Sequence, residues 1–230
     1  MIELFLKYLQ FEKRVSAHTS LAYKNDLDQF AQFLKETFDD ALIESANYGM
    51  VRSWIISLVD SEIKPTSVNR KIASLKTFYK FLMRQQIIAK TPMQKIRILK
   101  TQKRLPSFVN EAEMITMLDS KEFNDTFEDW RDRLILELFY ATGIRLSELI
   151  NLQENRINIP DRTIKVLGKR NKERIIPLTN ALIEPIKHYS RERSAFLNEK
   201  EMVSDFFFIN KKGNKLTSKA VYLLVKKYLS

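Results

Sequence analysis

Residues 63 to 105 hold 12 lysines and arginines and not one acidic side chain. No ion pair can form within such a stretch, so whatever offsets its charge lies outside it. Within RKIASLKTFYKFLMR, Ile72, Leu75, Tyr79, Leu82 and Met83 recur at helical spacing as a core-facing stripe. Lys76, Lys80 and Arg84 repeat every fourth residue along one flank. Like charges at that spacing cost an isolated helix a few tenths of a kcal/mol per pair. A solvated basic face is the plain reading of any one such run. A phosphate backbone compensates it better, through Coulomb attraction and counterion release. An anionic membrane would serve electrostatically, but the apolar stripe fits a helix bundle better than a lipid surface.

The rest of the chain sharpens this asymmetry. Residues 1 to 62 carry 6 basic and 10 acidic side chains, residues 106 to 161 carry 5 and 12, and residues 162 to 174 carry 6 and 1. Over 230 residues the formal charge is +11, which points to a polyanionic partner. With 44% hydrophobic residues the chain can bury a core of one or two domains. It has no cysteine and two histidines, which excludes disulfide scaffolds and cysteine-liganded metal sites and argues against a histidine-rich one. No apolar run is long enough to span a membrane, and the amphipathic start MIELFLKYLQFEKR is unlike a signal peptide, so the expected location is cytoplasmic.

Four helical patterns fill the first ninety residues. They are marked by Leu4, Phe5, Tyr8 and Leu9; by Tyr23, Leu27, Phe30, Leu34 and Phe38; by Val51, Trp54, Ile55 and Leu58; and by the basic helix after Pro65. The expected domains are a helical bundle over 1–90, a basic linker over 91–105, and a second domain over 106–230. Asn110 and Glu113 are spaced as a capping box for a helix through Leu118. A longer helix over 129–141 carries Trp130, Leu134, Ile135, Leu138 and Phe139 on one face, and Gly143 stands where it stops. After the short helix LSELINL the period turns toward two. RINI, TIKVL and RIIPL read as strands, the last two flanking a polar hairpin tip from Gly168 to Glu173. Residues 179–196 return to helix, FFFIN reads as a buried strand before the turn KKGNK, and TSKAVYLLVKKYL as a final helix. The fold class expected is mainly α, with a small antiparallel sheet in the second domain.

Three residues stand out chemically. Arg145 follows the helix-ending glycine and opens a short helix, so its guanidinium projects from fixed backbone near N–H groups that favour anions. Glu148 lies three residues on, on the same face, placed to orient it. Lys169 sits at the hairpin tip beside Arg170, Lys172 and Arg174, where an ammonium can pair with a phosphate or protonate a departing alkoxide. Each alone has a structural reading: a helix-start arginine, an intrahelical ion pair, a solvated loop lysine.

Together, ATGIRLSELINL and VLGKRNKERIIPL resemble the first active-site arginine segment and the lysine-bearing β-hairpin of the tyrosine recombinases, or phage-type integrases, above all the Xer-like members. SAHTSLAYKNDLDQF and SVNRKIASLKTFYKF resemble that family's helical, SAM-like core-binding domain, and RLPSFVNEAEMITML the entry to its mixed α+β catalytic domain. The resemblance implies site-specific DNA recombination or integration by metal-free strand cleavage and religation, with no cofactor. It implies that Arg145 contacts the scissile phosphate, that Glu148 supports the site and that Lys169 protonates the leaving 5′ oxygen. Double-stranded DNA is the implied partner, held by Arg70, Lys71, Lys76, Lys80, Arg84, Lys95, Arg97, Lys100, Lys103, Arg104, Arg170, Lys172 and Arg174. The complete family member works as a DNA-bound tetramer.

One departure stands out. The family's His-x-Leu-Arg-His helix, its Leu-Gly-His segment and its nucleophilic tyrosine are absent from these residues, so the expected chain is C-terminally incomplete and inactive alone. His188 and Arg191 precede the expected place of that motif and read as a surface pair. Tyr222 and Tyr228 read as core, and His18 as part of a helix start beside Ser16 and Thr19. The alternatives are a naturally shortened, non-catalytic DNA binder occupying recombination sites and, more weakly, an RNA-binding helical protein, which would lack an aromatic stacking strand.

Overall fold

Helix α4 (Pro65–Arg84) organises the first half of the chain. Proline at its first turn has no N–H to leave unsatisfied, and Val68, Ile72, Leu75, Phe78, Tyr79, Phe81 and Leu82 along it are buried. Around it stand α1 (Ile2–Lys7), which runs into a π-helical turn at Tyr8–Glu12, α2 (Ala17–Thr37) and α3 (Tyr48–Asp60). Ser16 caps α2 by accepting from the Thr19 amide at 3.2 Å, and Asn47 caps α3 by accepting from the Met50 amide at 3.1 Å. Phe5 meets Phe78 edge-on at 5.4 Å, and Phe30 lies 4.9 Å from Trp54. Met83, expected in the core, is 41% exposed. Phe78 and Phe81 fill the core positions instead, because helices on several sides widen the apolar face of α4.

The computed structural model describes residues 1–102, 110, 116, 126–168 and 172–229. The chain divides into two units, Met1–Leu105 and Pro106–Ser230. The basic stretch read as a linker packs onto the first unit through residue 100. Met93 and Ile96 are buried, and the Asn69 side chain both donates to the Leu99 carbonyl at 2.9 Å and accepts from its amide at 2.8 Å. Interleaved lysines and arginines hid Met93, Ile96 and Leu99, whose spacing of three in irregular backbone matches neither a helical nor a strand period. The helix expected from Asn110 to Leu118 lies outside the described residues except at Asn110 and Thr116.

In the second unit, Thr126 caps α5 (Phe127–Thr142), and Gly143 ends it in the left-handed conformation at φ 59°. The five-residue α6 (Leu146–Ile150) follows. Strands β1 (Ile157–Asn158), β2 (Thr163–Leu167) and β3 (Glu173–Pro177) form an antiparallel sheet in that order. Ile164 pairs with Ile176 and Val166 with Arg174, so Ile164, Val166 and Ile176 face the core. Helix α7 (Asn180–Glu199) packs along α5. Helix α8 (Ser218–Leu229) closes the described chain. Phe207, Phe208 and Ile209 are buried as expected, but the segment makes only isolated bridges, Phe206 to Gln153 and Ile209 to Lys215. A side chain replaces the ladder there. Buried Arg193 donates to the Ser204 carbonyl at 2.6 Å and through Nε to the Phe206 carbonyl at 3.1 Å. Among the described residues no helix is long and apolar enough to cross a membrane.

Candidate active site and basic surfaces

Gly143 turns the chain out of α5 so that Arg145 stands in extended backbone at the head of α6, its side chain 60% exposed. Glu148, one turn on, is buried to 1% at its side chain and accepts four hydrogen bonds. Two come from Arg145, from its amide to Oε2 at 2.9 Å and from Nη1 to Oε1 at 2.8 Å. Two come from Arg174 on β3, from Nη2 to Oε2 at 2.7 Å and from Nε to Oε1 at 3.2 Å. The Arg145 N–H expected to favour an incoming anion is therefore satisfied within the protein. Burial alone would raise the Glu148 pKa, but the hydrogen bonds from Arg174 and Arg145 outweigh it and hold the carboxyl down at about 2. Glu148 is a fixed anion that pins one edge of Arg145. Among the described residues, no protein acceptor is bonded to Nε or Nη2 of Arg145.

The hairpin rests on the same carboxylate. Gly168 donates to the Lys172 carbonyl at 2.8 Å, closing the tip. A Cβ at Gly168 would lie 3.3 Å from that carbonyl oxygen and 3.4 Å from Glu148 Oε1, which is why a residue without a side chain belongs there. Lys172 is exposed. Lys169 and Arg170 lie outside the described residues. Behind Glu148 is a cleft of about 430 Å³ lined by Ser147, Asn151, Arg156, Lys165 and Glu173. Among the described residues no three His, Asp or Glu side chains converge as metal ligands would.

A family model for the phage integrase family matches residues 108–230, and one for the phage integrase N-terminal SAM-like domain matches residues 2–86. Tyrosine recombinase XerD of Staphylococcus haemolyticus is 35% identical over 229 residues, covering 99% of this chain and 76% of that protein. The chain belongs to the tyrosine recombinases. Tyrosine recombinase XerC of Oceanobacillus iheyensis is 34% identical, covering 98% of this recombinase and 74% of the relative. Among solved structures, the Tn1549 transposon integrase with transposon right end DNA superposes at a TM-score of 0.73 with 16% identity, over 99% of this chain and 78% of that one. A lambda integrase dimer bound to a COC' core site superposes at 0.70 with 17% identity, over 99% and 78%.

In the recombinase's first unit, Lys76, Lys80 and Arg84 lie exposed along one flank of α4, and Lys95, Arg97 and Lys100 are exposed on the packed stretch that follows. The Arg84 guanidinium sits 5.8 Å over the Tyr8 ring, which also carries Lys13 at 5.7 Å. Lys71 does not belong with this group. It is 6% exposed, and its ammonium donates to Asp26 at 3.1 Å and to Gln29. Fully buried Asp26 also accepts from Ser74 at 2.7 Å and from half-exposed Arg70. An ammonium so enclosed cannot reach a DNA phosphate. The signal for this was Asp26 itself, one acid beside Leu27 in the apolar stripe of α2, which needs a cation on the facing helix. Lys103 and Arg104 lie outside the described residues.

The remaining candidates separate cleanly. The His188 ring packs 3.9 Å from the Trp130 ring, and Arg191 lines a different groove with Glu184 and Ser190. His18 is exposed, the cap of α2 being Ser16. Tyr222, read as core, is 62% exposed, because Val221 takes the buried position one residue earlier. Tyr228 is half-buried.

Proposed function

We propose that this recombinase grips duplex DNA with the basic flank of α4, the stretch from Lys95 to Lys100 and the β2–β3 hairpin. In this reading Arg145 and Lys169 form the phosphate-activating half of a strand-exchange site. The observation that carries it is Arg145 held by a buried carboxylate at one edge, with Nε and Nη2 bonded to no acceptor among the described residues. Attack on a phosphodiester adds negative charge to the non-bridging oxygens, and a fixed guanidinium stabilises that charge with no reorganisation at the moment of reaction. The 5′ oxygen leaves with the electron pair of the broken P–O bond and takes a proton, which Lys169 supplies. The entering tyrosine oxygen keeps the phosphate as an ester for religation.

These 230 residues contain no His-x-Leu-Arg-His run and no Leu-Gly-His before a tyrosine. In this reading these residues by themselves bind DNA and leave it uncut. A lambda integrase tetramer has been solved on a Holliday junction, and self-assembly on DNA is carried over to this recombinase as part of the same reading.

Fluorescence anisotropy of a labelled duplex against salt tests the grip. Each phosphate contact contributes about 0.9 to the slope of log K against log salt, so replacing Lys76, Lys80 and Arg84 together by Gln should flatten it by about 2.7. An unchanged slope would mean that the flank faces solvent. Incubation with a nicked suicide duplex carrying the cognate site should give no covalent adduct on a denaturing gel. An adduct lost on Tyr222→Phe or Tyr228→Phe would show that one of these exposed or half-buried tyrosines is a nucleophile.

A further inference from the structure

The sequence groups Arg174 with the DNA-binding cations of the hairpin, yet its guanidinium is already engaged. Nε and Nη2 form a two-pronged bond to the buried Glu148 carboxylate, the geometry at which arginine outperforms lysine. The tip of the hairpin spans residues 168–172, and both of its feet rest on that carboxylate. The β3 foot is held by Arg174, and the β2 foot brings Gly168 so near that a Cβ would stand 3.4 Å from Oε1. The third element on the carboxylate is the head of α6, through the amide and Nη1 of Arg145. One anion thus ties the Arg145 guanidinium to both feet of the β2–β3 hairpin.

We infer that Arg174 is a positioning residue, which locks the two feet of the β2–β3 hairpin to Arg145 through Glu148 and makes no phosphate contact of its own. The inference rests on the proposed roles of Arg145 and Lys169 for its catalytic meaning, but its geometry is independent of them. A phosphate contact needs only positive charge within reach, which lysine would supply. A lock needs the planar fork, which lysine lacks.

Arg174→Gln and Arg174→Lys in the full 230-residue chain separate the two. Three readouts are taken on each: the titration of the Glu148 carboxyl by carbon NMR, hydrogen exchange of the Gly168 amide, and the salt slope of duplex binding. For a lock, both variants move the Glu148 pKa up from about 2 toward the ordinary 4.5 and speed Gly168 exchange by about tenfold. The salt slope stays within about 0.3 of the parent, against the 0.9 that a lost phosphate contact removes. Rescue of Glu148 titration and Gly168 exchange by Arg174→Lys would overturn the inference. So would a slope reduced by about 0.9 in Arg174→Gln while Glu148 still titrates near 2. If the parent chain binds no duplex at all, the proposed function fails, and the Glu148 and Gly168 measurements still decide the role of Arg174.

Discussion

Glu148→Gln removes the charge at the centre of the site while keeping its shape. An amide has one oxygen to accept with, and its NH2 group would face donors from Arg145 and Arg174 where Oε1 or Oε2 now accepts from both. Breaking a fully buried ion pair costs about 3 to 5 kcal/mol. Here the stranded partners keep water, since the Arg145 and Arg174 side chains are 60% and 39% exposed. The loss should therefore be about 2 kcal/mol, or about 8 °C in the melting temperature of a unit of this size. Trp130 lies in the second unit and Trp54 in the first, so Trp130 fluorescence in a Trp54→Phe background reports the right transition. The effect must depend on pH. A carboxyl depressed to about 2 in the folded chain stabilises it above the unfolded value of 4.5 and loses that contribution as pH falls through the folded one. The gap between parent and variant should be full at pH 6 and less than half as large at pH 3. Equal melting temperatures at pH 6, or a gap unchanged at pH 3, would refute the assignment of Glu148 as the buried anion of the site.

Asp26→Ala should destabilise the first unit by about 3 kcal/mol in urea, because it strands the buried Lys71 ammonium, and the double variant Asp26→Leu, Lys71→Met should recover most of that loss. A fragment ending at residue 90 should be roughly 3 kcal/mol less stable than one ending at 105, since it lacks buried Met93 and Ile96 and the Asn69 bonds to Leu99, and urea midpoints of the two would measure this. Gly143→Ala meets nothing within 4 Å, so its cost is purely that of a left-handed backbone, about 1 to 2 kcal/mol by urea unfolding of the second unit.

Where the chain repeats with a period, its fold was legible. The stripes of α2, α3 and α4 and the alternation of β2 and β3 each follow from one strong periodicity, and Gly143 marks a helix end by the one conformation it tolerates better than any other residue. What depended on long-range pairing was not legible. Lys71 is indistinguishable from Arg70 in a basic run until Asp26 is seen across from it, 45 positions earlier. Arg174 reads as one more hairpin cation until the fold brings Glu148, 26 positions earlier, beneath it. The Phe206–Asn210 segment fails as a strand for the same reason, as side chains from neighbouring helices take its carbonyls, Arg193 at Phe206, Tyr189 at Phe207 and Arg131 at Ile209. Tyr222 missed the core by one residue, a rotation of about 100° on a helix, which in a short amphipathic segment separates a buried face from an exposed one.

The π-helical turn at Tyr8–Glu12 gives the N-terminal segment an unusual tolerance of length. Its Lys13 amide reaches back five residues to the Tyr8 carbonyl at 3.1 Å, so this stretch contains one amino acid more than a regular helix of the same rise requires. Gln10 and Phe11 lie on its outer side, both exposed. Deleting Gln10 would let the turn close with the ordinary reach of four, keeping Phe5 and Leu9 in the core and the entry into α2 where it is. A deletion inside α4 has no such slack, since every later side chain would swing by about 100°. Single-residue length differences between this recombinase and its relatives should therefore collect in residues 8–12 and be rare in 65–84.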